Sequence, residues 1–209
     1  MLTDEQLEEV KQEYCNLLRS LERDGSDIDG LISYLEGTDF FDAPASTKYH
    51  CSFPGGLCLH SLNVYSALRS LVERFASDYT YSDDTIKIVA LCHDFGKINF
   101  YEPYIKNEKV YSKQGKNFDA MGNFDWVPSR GYKVKEPEDR AIVGSKSFRA
   151  YMIANNFIPL TQGELVTLVN QYSASDGQQL PDLSNILAKY NLAVYLHCAD
   201  IIATYCIEK

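Results

Sequence analysis

The chain has four histidines, His50, His60, His93 and His197. Three of them stand where an imidazole could do chemistry. His93 is followed directly by Asp94 and then by Phe95-Gly96-Lys97. His60 comes early in an amphipathic stretch that opens after Pro54-Gly55-Gly56. His197 lies three residues before Asp200. Neutral imidazoles combined with carboxylates suit a borderline to hard divalent ion such as manganese, iron or magnesium. An adjacent His-Asp pair can bind one ion where a helix frays, because the two side chains splay less there than on a regular helix. His60 and Asp200 would have to come from facing helices, as metal sites in bundles are built. Each residue alone has a plainer reading. A single histidine on an apolar face is usually a hydrogen-bonded core residue, and a single aspartate in a helix is more often a surface or capping residue.

The elements that must position these groups are mostly helical. Thr3 reads as the N-cap of a helix from Asp4 to Arg23, with Leu7, Val10, Tyr14, Leu17, Leu18 and Leu21 on one stripe. A short helix is expected from Ile28 to Glu36, stopped at Gly37, and a loop from Phe40 to Gly56. Leu57 to Phe75 carries Leu57, His60, Val64, Leu68, Leu71 and Phe75 at spacings of three and four. Ser82 opens a helix toward His93-Asp94 whose acidic first turn suits the helix dipole. Residues 99–136 lose the helical stripe and interleave Tyr, Phe, Trp, Gly, Asn and Lys. They read as an insertion of one or two short strands with turns. Helices are expected again at Glu138 to Asn155, Thr161 to Tyr172, Leu183 to Tyr190 and Leu192 to Ile207.

The 209 residues fit one domain, with or without an insertion. Apolar residues make up 45% and charged residues 23%, close to an ordinary globular protein. The net charge of −9 disfavours broad binding to nucleic acid or to anionic membrane, but not a small phosphorylated substrate held by an ion and a few local cations. Six cysteines form no CxxC pair. No signal-like start is evident and no stretch approaches a membrane span, so a reducing cytoplasm is the expected location.

Three segments, YHCSFPGGLCLHSLNVY, IVALCHDFGKINFY and AVYLHCADIIATY, together resemble the HD-domain superfamily of metal-dependent phosphohydrolases. The likeness is greatest to bacterial and phage HD hydrolases with a His-x3-Pro/Tyr-Gly-Gly-Leu-x2-His opening. A similar opening occurs in bacterial exoribonucleases that carry an HD domain. The resemblance runs from about Leu35 to Tyr205. It implies an all-α fold, an HD-domain helical bundle spanning residues 1–209 with a small β-hairpin/loop insertion at 99–136. It implies one divalent metal ion held by His60, His93, Asp94 and Asp200, and hydrolysis of a phosphate ester or phosphoanhydride by a metal-bound water. Asp94 is then the candidate to orient or deprotonate that water. Lys97, four residues after His93, is a candidate phosphate-binding point charge, against the plainer reading of a solvated lysine at a helix end. His50 is either a phosphate contact or a loop histidine without duty. His197, on the face of Asp200, is a supporting partner or a core residue.

The sequence departs from that family at two places. Many close relatives carry two more histidines between the HD pair and the last aspartate. Val143 and Gln171 stand there instead, with Lys146 and Ser147 retained. Lys146 could pair with a phosphate oxygen or be a solvated helix residue. Neither valine nor glutamine replaces an imidazole as a ligand, so a second ion is not expected. Three functions follow. The first is a metal-dependent phosphohydrolase acting on a nucleotide or other small phosphorylated substrate. The second is a degenerate HD module that binds metal and nucleotide without turnover. The third, a nuclease on nucleic-acid ends, lacks a basic stripe to support it.

Overall fold

A computed structural model describes residues 2–76, 81–140, 144–171 and 183–208. Helix α1, Asp4–Arg19, starts at a reciprocal cap: Thr3 Oγ1 accepts from the Gln6 amide and Gln6 Oε1 accepts from the Thr3 amide. It ends four residues before the expected Arg23, which frees Arg23 to reach Glu164 across the body. Helix α2, Ile28–Glu36, is capped by Asp27 and stops at Gly37. Helix α3, Gly56–Phe75, opens at Gly55 in a left-handed conformation, φ +79°. A side chain at Gly56 would meet the Cys51 carbonyl oxygen at 2.0 Å. The Pro-Gly-Gly turn is thus a close backbone crossing that sets where α3, and with it His60, begins.

Helix α4, Asp83–Cys92, is capped by Ser82 and passes through His93 and Asp94 into a single 3-10 turn, Phe95–Lys97. Helix α5, Lys146–Asn155, is capped by Ser145. Helix α6, Gln162–Asn170, is capped by Thr161 with Glu164 returning the bond. Short α7, Leu183–Lys189, leads to α8, Leu192–Ile202, which continues as a π turn, Ala203–Ile207. Helix α3 packs on both α4 and α8. Tyr14, Leu18, Leu35, Phe40, Leu57, Leu68, Leu91, Phe95 and Leu196 are fully buried in one core. Each such side chain contributes about 1.5–3 kcal/mol of apolar transfer free energy.

The expectation of an all-α class is corrected here: the fold is mixed α and β. The insertion is a three-stranded antiparallel sheet in the order β1-β3-β2, with β1 Tyr101–Tyr111, β2 Asn117–Asp119 and β3 Gly122–Val134. Its long pair keeps one register from Tyr101 opposite Val134 to Tyr111 opposite Phe124. Aromatic and β-branched residues sustain strands of 11 and 13 residues rather than short ones, and a turn at Ala120-Met121 joins β2 to β3. The expected helix from Glu138 is a 3-10 turn at Pro137–Asp139 instead, and α5 starts only after Gly144, φ +127°. The Val143 position lies outside the described residues.

No single helix among the described residues is long and apolar enough to cross a membrane. Helices α7 and α8 would reach that length and composition only together, and they are bent by 93°. Leu192, Ala193, Leu196 and Ala199 of α8 are buried within the protein.

Candidate metal centre

The end of α4, the first turns of α3 and the last turns of α8 bring His93, Asp94, His60 and Asp200 together. His60 Nε2 lies 3.1 Å from Asp200 Oδ1 and 3.6 Å from Asp94 Oδ2, and His93 Nε2 lies 3.4 Å from Asp94 Oδ2. The ligand atoms of His60, His93 and Asp200 all fall within 4.8 Å of one another. His60, His93 and Asp94 are buried, and Asp200 is largely so.

The second nitrogen of each ring decides what the first can do. His93 Nδ1 is 2.7 Å from the Ala90 carbonyl oxygen, which can only accept, so Nδ1 carries the proton. His60 Nδ1 lies 3.0 and 3.2 Å from the two Glu208 oxygens, again acceptors. In the neutral rings both Nε2 atoms therefore present lone pairs. Neither has a hydrogen-bond partner, although His60 Nε2 is near enough to Asp200 for an ion pair without being in line for a hydrogen bond. His60, His93 and Asp200 form a set that could hold a metal ion, with Asp94 beside both imidazoles.

The same carboxylates act on the titration of the two rings. Burial opposes a charge on His60, but Asp200, Glu208 and Asp94 outweigh it and raise its pKa to about 9. The His93 pKa is lowered, chiefly by burial. Burial would raise the Asp94 pKa, yet Lys97 and both imidazoles hold it well below the usual carboxylate range. The Asp200 carboxyl is also lowered against burial, by His60 and His93. Lys97 Nζ is 2.6 Å from Asp94 Oδ2 and its side chain is 8% exposed, so it is a buried partner of Asp94 rather than a solvated lysine at a helix end. Burial opposes its charge, but Asp94 raises its pKa.

His50 lies against the centre, its ring 4.8 Å from that of His60. Both of its nitrogens are buried without a hydrogen-bond partner, and burial, then His60 and Lys97, lower its pKa to about 4. His50, His60 and Glu208 form a second cluster of possible ligands. That cluster would use the His60 Nδ1 atom already donating to Glu208, so the first cluster is the better formed. Lys146 stands beside the site through its backbone, whose carbonyl oxygen is packed on Gly96. The structure does not join His197 to Asp200: its Nδ1 is buried without a hydrogen-bond partner, while Thr204 Oγ1 lies 3.5 Å from Asp200 Oδ1. Gln171 caps α6 and donates from Nε2 to the His93 carbonyl oxygen at 2.8 Å.

Sequence reasoning missed Glu208. It is held by His60 and by Asn63, whose Nδ2 donates to Oε1 at 2.9 Å, and its pKa is lowered despite burial. A signal existed in the spacing Asp200, Thr204, Glu208, three oxygen-bearing residues four apart. On a regular helix such a row drifts off one face, but the π turn at Ala203–Ile207 carries more residues per turn and returns Glu208 to His60.

The chain matches no protein-family model, no curated protein and no solved structure in comparisons with known proteins.

Proposed function

We propose that this protein is an HD-type, single-metal phosphohydrolase acting on a nucleotide or another small phosphorylated compound. The observation that carries the reading is the pair of buried Nε2 atoms, each left facing Asp94 and Asp200 by an engaged Nδ1. His60, His93, Asp94 and Asp200 would hold a divalent ion, which supplies charge neutralisation at phosphoryl oxygens and lowers the pKa of water. Asp94, held ionised by Lys97 and the two imidazoles, can accept a hydrogen bond from the attacking water and so orient it. Lys97 places a fixed cation beside Asp94 where phosphoryl charge can be balanced. His50 stays neutral at pH 7 and can donate one hydrogen bond to substrate without adding charge. The net charge of −9 favours small substrates over long polyanions.

The test is elemental analysis of protein purified without a metal-affinity tag, paired with phosphate release from a nucleotide panel in added manganese. About one ion per chain with turnover supports the reading. Metal without turnover favours a module that binds and does not hydrolyse. Gln171 speaks for that second reading, since its amide is spent on the His93 carbonyl instead of on substrate. No metal uptake after manganese soaking defeats both.

A further inference from the structure

At the ends of α4 and α6 away from the metal centre lies a second cavity of about 370 Å³. Thr85 lines it on α4, and eight residues of helix, about 12 Å, separate Thr85 from His93. Its wall contains Thr167, fully buried, whose Oγ1 has no hydrogen-bond partner. A buried hydroxyl left unpaired costs about 1–3 kcal/mol, and this one lies in the cavity wall.

Ser82 and Thr85 spend their hydroxyl hydrogens on Thr85 Oγ1 and on Glu164, but three other groups around the cavity can donate. Gly163 sits in the first turn of α6, where an amide has no partner within the helix. Thr161 uses its Oγ1 as an acceptor for the Glu164 amide and keeps its hydroxyl hydrogen to give. Lys189 brings an ammonium, 5.3 Å from the centre of the Tyr190 ring. The carboxylate in the wall, Glu164, offers nothing more. Its oxygens accept from Arg23 at 2.7 and 3.0 Å, from Thr85 at 2.8 Å and from the Thr161 amide at 2.8 Å, and Arg23 neutralises its charge. Tyr81, Tyr190 and Leu192 supply flat and apolar surface.

Donors gathered at one helix start, one cation, a neutralised carboxylate and aromatic walls call for an oxyanion carried on a flat ring. The volume suits a ligand of mononucleotide size. We propose that this cavity is a second ligand site, separate from the metal centre, that takes a nucleoside monophosphate.

The experiment is calorimetric titration of the full chain with the four common ribonucleoside monophosphates, their nucleosides and inorganic phosphate. EDTA is present, and His93→Ala is titrated alongside wild type, so that the metal centre cannot account for binding. The expected result is binding of at least one monophosphate, tighter than its nucleoside and tighter than phosphate. That binding is unchanged in His93→Ala and weakened about 2–10-fold in each of Thr167→Val and Lys189→Gln, the size of one lost hydrogen bond. Lys189 is exposed, so its variant folds whatever becomes of Thr167→Val. The proposal is overturned if no monophosphate binds, if phosphate alone binds as tightly, or if binding survives both cavity variants and is lost in His93→Ala.

Discussion

Glu208→Gln isolates the part of the metal centre that lies one step behind the ligands. The substitution keeps the size of the side chain and a carbonyl oxygen for Asn63, but removes the charged acceptor of the His60 Nδ1 proton. Loss of such a supporting partner lowers metal affinity by about 10–100-fold. How much of that is visible depends on pH. In the metal-free protein, burial works against a proton on His60 and the surrounding carboxylates win, giving a pKa of about 9. An ion needs Nε2 without that proton. At pH 7, two units below this pKa, proton competition weakens apparent affinity in the wild type by roughly 100-fold. Glu208→Gln also loosens the proton, so at pH 7 the two effects partly offset. At pH 9, at the His60 pKa, the proton competes only about twofold, so nearly the full 10–100-fold deficit stands. Competition with a fluorescent chelator for Mn²⁺ at pH 7 and pH 9 measures both, with far-UV circular dichroism as the control for folding. Wild-type affinity in the variant at pH 9, or a deficit larger at pH 7 than at pH 9, would refute the role given to Glu208.

Four other outcomes are expected. His93→Ala should lose bound metal while keeping helical content, Asp94→Ala should lose it with a cost in stability because it strands Lys97, and unchanged metal in both would remove the centre. His60 has a folded pKa of about 9 against an ordinary 6.5, a raised value. Its stabilisation of the metal-free protein is therefore complete below pH 6.5 and is lost as pH rises through 9, about 3 kcal/mol in all. Urea midpoints of metal-free wild type should fall across that window, and those of His60→Gln should not follow the same drop. Arg23→Ala should cost about 3–5 kcal/mol in urea unfolding by stranding Glu164, which is fully buried; a loss near zero would mean that water replaces the guanidinium. Gly96→Ala would set a methyl 2.0 Å from the Lys146 carbonyl oxygen. It should cost about 1–3 kcal/mol and weaken metal binding, because the turn it distorts joins Asp94 to Lys97; an unchanged melting temperature and metal affinity would show that α5 simply yields.

Much of the helical frame was legible because its signals are local. Thr3, Asp27, Ser82 and Thr161 each cap the helix that the sequence places after them. What was not legible depends on tertiary context. Nothing local ends α1 at Arg19 rather than Arg23; the early end is coupled to a bidentate contact with Glu164, 141 residues away. Residues 99–136 showed strand character, but the long pairing of β1 with β3 is a non-local register that outgrew the small hairpin expected. At the centre, the residue types picked out four groups that the fold brings together. The depth at which Lys97 lies and the return of Glu208 could not be read, since each follows from packing.

On the proposed reading, the charges around His60 set these groups apart from a satisfied core cluster. Asp94, Asp200 and Glu208 are each held ionised in or near the interior, and Lys97 is the buried ammonium paired with Asp94. A core cluster would end the imbalance with hydrogen bonds, yet the atoms left over are Nε2 of His60 and Nε2 of His93, acceptors in the neutral rings. In the metal-free protein the excess is met only in part, by drawing a proton onto His60. A proton satisfies one lone pair, whereas a divalent ion can accept two imidazoles and two carboxylates at once. On the proposed reading, the arrangement that raises the His60 pKa would also favour a metal ion. His60 protonation and metal uptake are alternative answers to one excess of buried negative charge, which is why the affinity of this centre should rise with pH until the proton is gone.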